Sequence, residues 1–416
     1  MKILMLFPYA PLPPPLDLAG TKRNLPFALE LAKHNEVSVL SFGTRDQEES
    51  VRRAYGHLFT EIRFIDRKRP RAITGLQRFW LLATGRSPFR QLYSSRMQHA
   101  LDEITTATRY DLIHCCVQFF GYFRFPPGIP VSSDTHEVKY DLLRRTALTA
   151  SGALSKLLPY LYYKLGKAEE LQLCGRFDLL IATTEPDRQL FLRDIPRQKI
   201  EVIQNGAGYA FFEDLGIPQE PLTMVFTGLF THQPNVQGIR WFLDQVFPLV
   251  LQAQPAARVF VVGKAPPSDV SARASANVIV TGFVDDVRPY MARAQVYIIP
   301  LLSGGGIRGK ALEAMAMKRP IVTTTIGVEG IKLENQESAL FADSPEGFAA
   351  SILRLFADAS LRERLAIKAF ATARQHYDWA AKGRELDRAL RATVVAKNAQ
   401  PESSSRISER VPAGGM

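Results

Sequence analysis

Short runs of apolar, mostly β-branched residues alternate with segments of helical period along most of this 416-residue chain. "KILMLF" (2–7) is apolar at every position but one, "TKRNLPFALELAKH" (21–34) has a helical period, and "EVSVLSF" (36–42) follows it. "DLIHCCV" (111–117), "PVSSDTH" (130–136) and "DLLIATT" (178–184) continue the series. This β-α-β rhythm predicts a parallel sheet covered by helices, because a continuous apolar strand must be buried on both faces. After residue 200 the rhythm restarts: "KIEVIQNGA" (199–207), "TMVFTGLF" (223–230), "ARVFVVGK" (257–264), "NVIVTGFV" (277–284), "AQVYIIPLL" (294–302) and "PIVTTTIG" (320–327). The expected fold class is therefore α/β, with two doubly wound, Rossmann-like domains. The first spans 1–200 and the second 201–380, with "DLGIPQEPL" (214–222) as the linker. The segment 398–416, rich in Ser, Pro and Gly, is expected to be a disordered tail.

Composition removes several classes. No run of about 18 uninterrupted apolar residues is present, so no spanning helix is expected. "MKILMLFPYAPLPPP" resembles a signal peptide only superficially; the apolar run is short and prolines follow it, so it reads as a first buried strand. Cys115, Cys116 and Cys174 have no metal-ligand spacing and no disulfide pattern, which suits buried thiols in a reducing cytoplasm. Lys and Arg exceed Asp and Glu by 52 to 41, and residues 1–200 carry 29 basic against 20 acidic residues. A basic first half points to an anionic partner: phosphate groups, a membrane surface or nucleic acid.

"SGGGIRGKALEAMA" (303–316) matches two nucleotide patterns at once. Gly304, Gly306 and Gly309 fit G-x-G-x-x-G; Gly304, Gly309 and Lys310 fit G-x-x-x-x-G-K, but Ala311 stands where a P-loop needs a hydroxyl for Mg²⁺. The dinucleotide pattern gains an acid, Glu329, about 20 residues on, yet the motif comes late in the second domain and Glu329 sits in a loop. A third reading is a Gly-rich turn from a buried strand into a helix start. Its main-chain N–H groups, together with Arg308 and Lys310, would hold a diphosphate, and Glu313 one turn on would accept from ribose hydroxyls. That set suits a nucleotide sugar. The plain alternatives are a tight turn with solvated basic residues, and Glu313 as a dipole-complementing acid.

At these residues the chain resembles the retaining, GT-B-fold glycosyltransferases of the large group 1 family (family 4-like). "PLLSGGGIRGKALEAMAMKRPIVTTTIGVEGI" (300–331) is similar to the family's donor loop and helix, "VIQNGA" (202–207) to its Asn-Gly turn, and "MVFTGLFTHQPNVQGIRWF" (224–242) to its phosphate-side strand and helix. "VTGFVDDVRPYMARAQVYIIPL" (280–301) resembles the base-binding segment, "HYDWAAKGRELDRAL" (376–390) the Trp-bearing terminal helix, and "PLPPPLDLAGTKRN" (11–24) the Pro-rich cleft loop. Two departures stand out. The residue eight before Glu313 is Gly305, where many members have a first Glu, and "GLFTHQPN" lacks the Arg and Lys found in many members.

The resemblance implies a GT-B fold with a helix over 381–397 crossing back to the first domain. It implies sugar transfer from a nucleoside-diphosphate sugar (UDP or GDP) to a hydroxyl acceptor, a glycan or lipid-linked glycan, in exopolysaccharide or cell-surface synthesis. Retention is implied, and neither metal nor cofactor is expected, since "VDDV" (284–287) is no D-x-D motif. His136, Arg308 and Lys310 are the catalytic candidates. Gly228, Gly304, Gly305, Gly306, Ile307, Glu313 and Asn205 are the donor-binding ones, and Gly20, Thr21, Lys22, Asp134 and Glu137 face the acceptor side of the cleft. The basic, aromatic stretch 67–96 suits peripheral contact at the inner face of the cytoplasmic membrane, or a solvated helix. A GT-B-fold nucleotide-sugar epimerase is the rival enzyme; a nucleic-acid binder would account for the charge but not for Glu313 or the Gly loop.

Overall fold

The computed structural model describes residues 1–13, 21–66, 93–149, 153–207, 215–304 and 308–399. The first sheet contains β1 (Lys2–Phe7), β2 (Glu36–Phe42), β3 (Glu61–Ile65), β4 (Leu112–Cys115), β5 (Val131–Thr135), β6 (Leu179–Ala182) and β7 (Ile200–Val202). Their spatial order is β3-β2-β1-β4-β5-β6-β7, and every pairing is parallel. The second sheet contains β8 (Glu220–Thr227), β9 (Arg258–Val262), β10 (Val278–Gly282), β11 (Ala294–Ile299), β12 (Ile321–Thr323) and β13 (Leu340–Phe341), in the order β10-β9-β8-β11-β12-β13. Both are doubly wound, so each has a switch point, between β1 and β4 and between β8 and β11, where crossovers part and leave a crevice at the carboxyl ends.

The apolar runs do what their pattern requires. Along β1, Ile3, Met5 and Phe7 pack into one core while Leu4 and Leu6 pack into the core on the opposite face. Along β8, Met224 and Phe226 face one core and Val225 the other. Two strands escape the apolar pattern. β3 ("EIRFI") is an edge strand with only Ile62 fully buried, so polar residues interrupt it, and β13 is two residues long.

The two domains are tied by the chain's last helix, Trp379–Asn398. Asp378 caps it, its carboxylate accepting from the main-chain N–H of Ala381 at 2.9 Å; the helix thus begins two residues before the expected start. The preceding helix, Ala359–His376, buries Leu365 and Ala369 in the second domain. The last helix buries Leu386 and Leu390 in the core of the first. It lies directly on the helix Thr21–Ala32: a Cβ built on Gly383 would stand 2.4 Å from Cβ of Glu30. Asn35 donates to Asp387 at 2.8 Å and Lys397 to Asp178 at 2.8 Å. Where the chain passes between domains, the Trp379 indole covers Gly206 and meets Phe27 edge-on at 5.2 Å.

Candidate active site at the interdomain cleft

The first wall of the cleft is built at the carboxyl ends of β4 and β5. His136 follows β5 and is half-buried. Its Nε2 lies 3.0 Å from the carbonyl oxygen of Cys116, which also accepts from Asn24 Nδ2 at 3.1 Å. Nε2 also lies 3.3 Å from Asn24 Nδ2, so this one ring nitrogen faces both a carbonyl acceptor and an amide donor. Burial pushes the imidazole below its ordinary value, partly opposed by Asp134. The next residues are pinned from behind. Glu170, buried on the helix Ala153–Cys174, accepts from the main-chain N–H groups of Lys139 (3.1 Å) and Tyr140 (2.8 Å) and from Gln118 Nε2 (2.9 Å). A carboxylate thus caps the helix Lys139–Thr149 at its positive end. Glu137 and Lys139 form an ion pair at the mouth of the same loop.

Asp134 is corrected from a cleft residue to a buried one. As the penultimate residue of β5 it is fully buried, and its Oδ1 accepts from Arg23 Nη2 at 2.8 Å and Nε at 3.3 Å. Burial raises its carboxyl, but Arg23 and then His114, 3.7 Å away, hold it well below the usual carboxylate range. Arg23 also donates through Nη1 to Asn205 Oδ1 at 2.7 Å, so Asn205 sits at the domain junction in contact with the first domain.

The second wall lies at the carboxyl ends of β8 and β11. The loop after β11 leads into the helix Gly309–Ala316. Gly304 adopts φ +136°, and an added Cβ would lie 3.0 Å from the Arg308 guanidinium, so the turn and the cation fit together only with glycine there. Lys310, in the first turn, donates to Asn235 Oδ1 at 2.7 Å and stands 4.2 Å from the centroid of Phe226. Burial pushes its ammonium down to about 7, with Glu313 opposing and Arg308 reinforcing the shift. Glu313 is half-buried, one turn along the same helix. Gly228 follows β8, and a Cβ there would come within 3.0 Å of the Asn235 amide.

The walls meet at His232, the residue before the helix Gln233–Trp241. Burial lowers its imidazole first; Glu137 from the first domain raises it, and Lys310, Arg308 and Lys139 lower it. Groups of both domains therefore act on one half-buried ring. Elsewhere along the cleft Gln204 Nε2 donates to the carbonyl of Gly330 at 3.0 Å, and Gly330 lies beside Thr184.

This geometry joins a cation-lined helix start in one Rossmann-like domain to a His-bearing strand end in another. The family model described as Glycosyltransferase Family 4 matches residues 25–207, and that described as Glycosyl transferases group 1 matches residues 221–358. A glycosyltransferase family 4 domain is thus followed in this chain by a glycosyl transferases group 1 domain. Sucrose-phosphate synthase from Thermosynechococcus elongatus superposes over 95% of this chain and 100% of its own, at a TM-score of 0.65 and 16% identity. HepE of Anabaena, in complex with UDP-glucose, superposes over 94% and 100%, at a TM-score of 0.64 and 16% identity. Both likenesses establish the GT-B fold. A curated relative, described as an uncharacterized 44.6 kDa protein in the cps region of Klebsiella pneumoniae, is 26% identical over 164 residues. That match spans 37% of this chain and 42% of the relative.

In this glycosyltransferase the fold brings Arg308, Lys310, Glu313, Gly228 and Gly304 to one wall and His136 and Glu137 to the other. Thr21 and Lys22 open the helix Thr21–Ala32, whose third residue, Arg23, is the one bound to Asp134. Gly20, Gly305, Gly306 and Ile307 lie outside the described residues, as do residues 67–92 of the basic stretch. Sequence reasoning passed over Arg23, Asn235, His232 and Glu170. Only "PN" after a Gly-turn hinted at Asn235; the others give no local signal, because each acts on a residue far along the chain. No helix among the described residues is long and apolar enough to cross a membrane, and no three His, Cys, Asp or Glu side chains there come together as metal ligands.

Proposed function

We propose that this protein transfers a sugar from a nucleoside-diphosphate sugar to a hydroxyl acceptor, with retention at the anomeric carbon and without a divalent metal. The observation that carries the reading is the set at the start of the helix Gly309–Ala316: Arg308, Lys310 and, one turn on, Glu313, at the sheet's carboxyl edge opposite His136 and Glu137. Two cations at a helix N-terminus match a diphosphate, whose negative charge grows as the sugar–phosphate bond breaks. Glu313 is placed for ribose hydroxyls. Phe283, 62% exposed at the end of β10 with Lys264 5.9 Å from its ring, offers an aromatic face to a base.

The acceptor oxygen bonds to the anomeric carbon on the face the diphosphate leaves, and its proton passes to the departing phosphate oxygen. His136, held at the end of β5 beside Asn24 and the Cys116 carbonyl, positions a sugar or acceptor hydroxyl. The acceptor is a glycan or lipid-linked glycan of surface or exopolysaccharide synthesis, handled at the cytoplasmic side of a membrane. The cps-region description of the curated relative and the UDP-glucose in HepE support this reading.

Calorimetry of UDP and GDP with the wild type and Lys310→Ala is the test. One nucleotide binding the wild type, with about tenfold or greater loss in the variant, is expected; binding of neither would sink the proposal. Donor turnover without acceptor, assayed for hydrolysis and for epimerised sugar, separates transfer from the epimerase alternative.

A further inference from the structure

The segment after β8, "GLFTHQPN" (228–235), contains no Lys and no Arg, yet it helps form the wall that carries Lys310. One side chain makes the link. Asn235 is 6% exposed, in the first turn of the helix Gln233–Trp241. Its Oδ1 accepts from Lys310 Nζ at 2.7 Å, and its Nδ2 donates to the carbonyl oxygen of Leu229 at 2.8 Å. Turning the amide over would set its NH2 against an ammonium and its oxygen against a carbonyl, so only one orientation satisfies both neighbours.

The far end of this bridge is fixed. The N–H of Gly228 donates to the Val262 carbonyl at 2.9 Å and that of Phe230 to the Lys264 carbonyl at 3.1 Å, which pins the turn to the end of β9. A Cβ on Gly263 would stand 1.7 Å from the Gly228 carbonyl oxygen, so β9 presses directly on the same turn. The near end is confined as well, because Lys310 Nζ lies 4.2 Å from the centroid of Phe226, whose face attracts a cation. An ammonium has three N–H donors; Asn235 takes one, which leaves donors for an anion at the helix start. An amide oxygen orients the cation without cancelling its charge, as a carboxylate in its place would.

We propose that Asn235 is a positioning residue: it locks the Lys310 ammonium to the turn after β8 and so holds that cation, with its charge intact, for the diphosphate. The inference rests on the nucleotide-sugar reading of the site. A turn with no cation of its own thereby serves an anion, with the charge supplied from the helix Gly309–Ala316, 75 positions along the chain.

Two variants of similar volume test it. Asn235→Leu removes both hydrogen bonds, and Asn235→Asp keeps an acceptor but adds a charge. Lys310 is followed without nucleotide by the NMR shift of its Cε as pH is varied, the signal being assigned by its loss in Lys310→Ala. Glu313 and Arg308, which act on this ammonium, and His232, on which it acts, are the same in every variant. The titration of Lys310 is expected to move down in Asn235→Leu and up in Asn235→Asp, a split that a residue merely filling space would not produce. Should Asn235→Leu fail to fold by circular dichroism, the upward shift in Asn235→Asp decides alone. In calorimetry with UDP and GDP, both variants are expected to bind the wild type's nucleotide about tenfold or more weakly. Once Lys310 is already alanine, Asn235→Leu is expected to add less than about twofold. The inference is overturned if Lys310 titrates alike in wild type and variants, or if Asn235→Leu costs as much in Lys310→Ala as in the wild type. If the titrations split but neither nucleotide binds the wild type, the hold on Lys310 stands and the glycosyltransferase reading fails. If a nucleotide binds and the titrations do not split, the reverse holds.

Discussion

Arg23 places Nη2 2.8 Å from Oδ1 of Asp134, with both side chains almost wholly buried, and reaches on to Asn205 at the domain junction. One guanidinium thus joins the strand end that carries His136 to the turn where the chain enters the second domain. Removing one partner of such a pair leaves a buried charge alone. Arg23→Ala is expected to lose about 3–5 kcal/mol of stability in denaturant unfolding. Arg23→Met with Asp134→Leu should recover most of that loss. A single-variant cost below about 1 kcal/mol would mean that the pair is not desolvated as the geometry indicates.

In the proposed nucleotide site, Lys310 makes binding a protonation event. Its ammonium is pushed down to about 7, and a diphosphate bound beside it favours the charged form. Above about pH 7 binding must therefore take up a proton, and affinity must fall as pH rises. Calorimetry of UDP in buffers of different ionisation enthalpy should show uptake approaching one proton near about pH 8 and almost none near about pH 6. Equal uptake in Lys310→Ala would assign the proton to another group.

Glu170 gives stability the opposite slope from an ordinary acid. Burial, ahead of its hydrogen bonds, raises its carboxyl to about 7 in the folded chain. The unfolded chain releases that proton near about 4.5, so the native state binds more protons between the two values and loses stability as pH rises through that window. Glu170→Gln should flatten the pH dependence between about pH 5 and 7 while keeping one acceptor for the Lys139 and Tyr140 N–H groups. Unfolding midpoints measured across that range decide it; an unchanged slope refutes it.

Two glycines let the terminal helix pack closely, Gly383 on the first domain and Gly206 under Trp379 at the turn between domains. A Cβ on Gly383 would stand 2.4 Å from Cβ of Glu30, and one on Gly206 would stand 2.4 Å from the Trp379 indole. Alanine at either position should cost about 1–3 kcal/mol in thermal or denaturant unfolding. Gly175→Ala, whose new Cβ would find its nearest neighbour at 3.5 Å, is the control and should stay within about 0.5 kcal/mol. If all three behave alike, close packing of that helix is not what holds the domains.

Much of this protein was legible as pattern. β1 and β2 fall on the apolar runs that predict them, because strands buried on both faces leave no position for water-loving residues. β3 and β13 were not, since an edge strand carries polar residues and a two-residue strand carries no period. At the site, "SGGGIRGKALEAMA" showed its cations, its helix start and Glu313 locally, and Arg308, Lys310 and Glu313 do stand together on one wall.

The chain by itself determined two doubly wound domains, a Gly-rich turn opening a helix with basic residues, and a histidine after a strand. Those are features of neighbouring residues, which the backbone periods of helix and strand bring together without help. Tertiary structure alone decided the partners: Arg23 with Asp134 across 111 positions, Lys310 with Asn235 across 75, and Glu170 with Tyr140 across 30. It moved Asp134 out of the cleft and into the core, and it brought His232 within the fields of both Glu137 and Lys310. Burial, and the charge that answers it, depends on which elements close over a residue, and no local pattern encodes that.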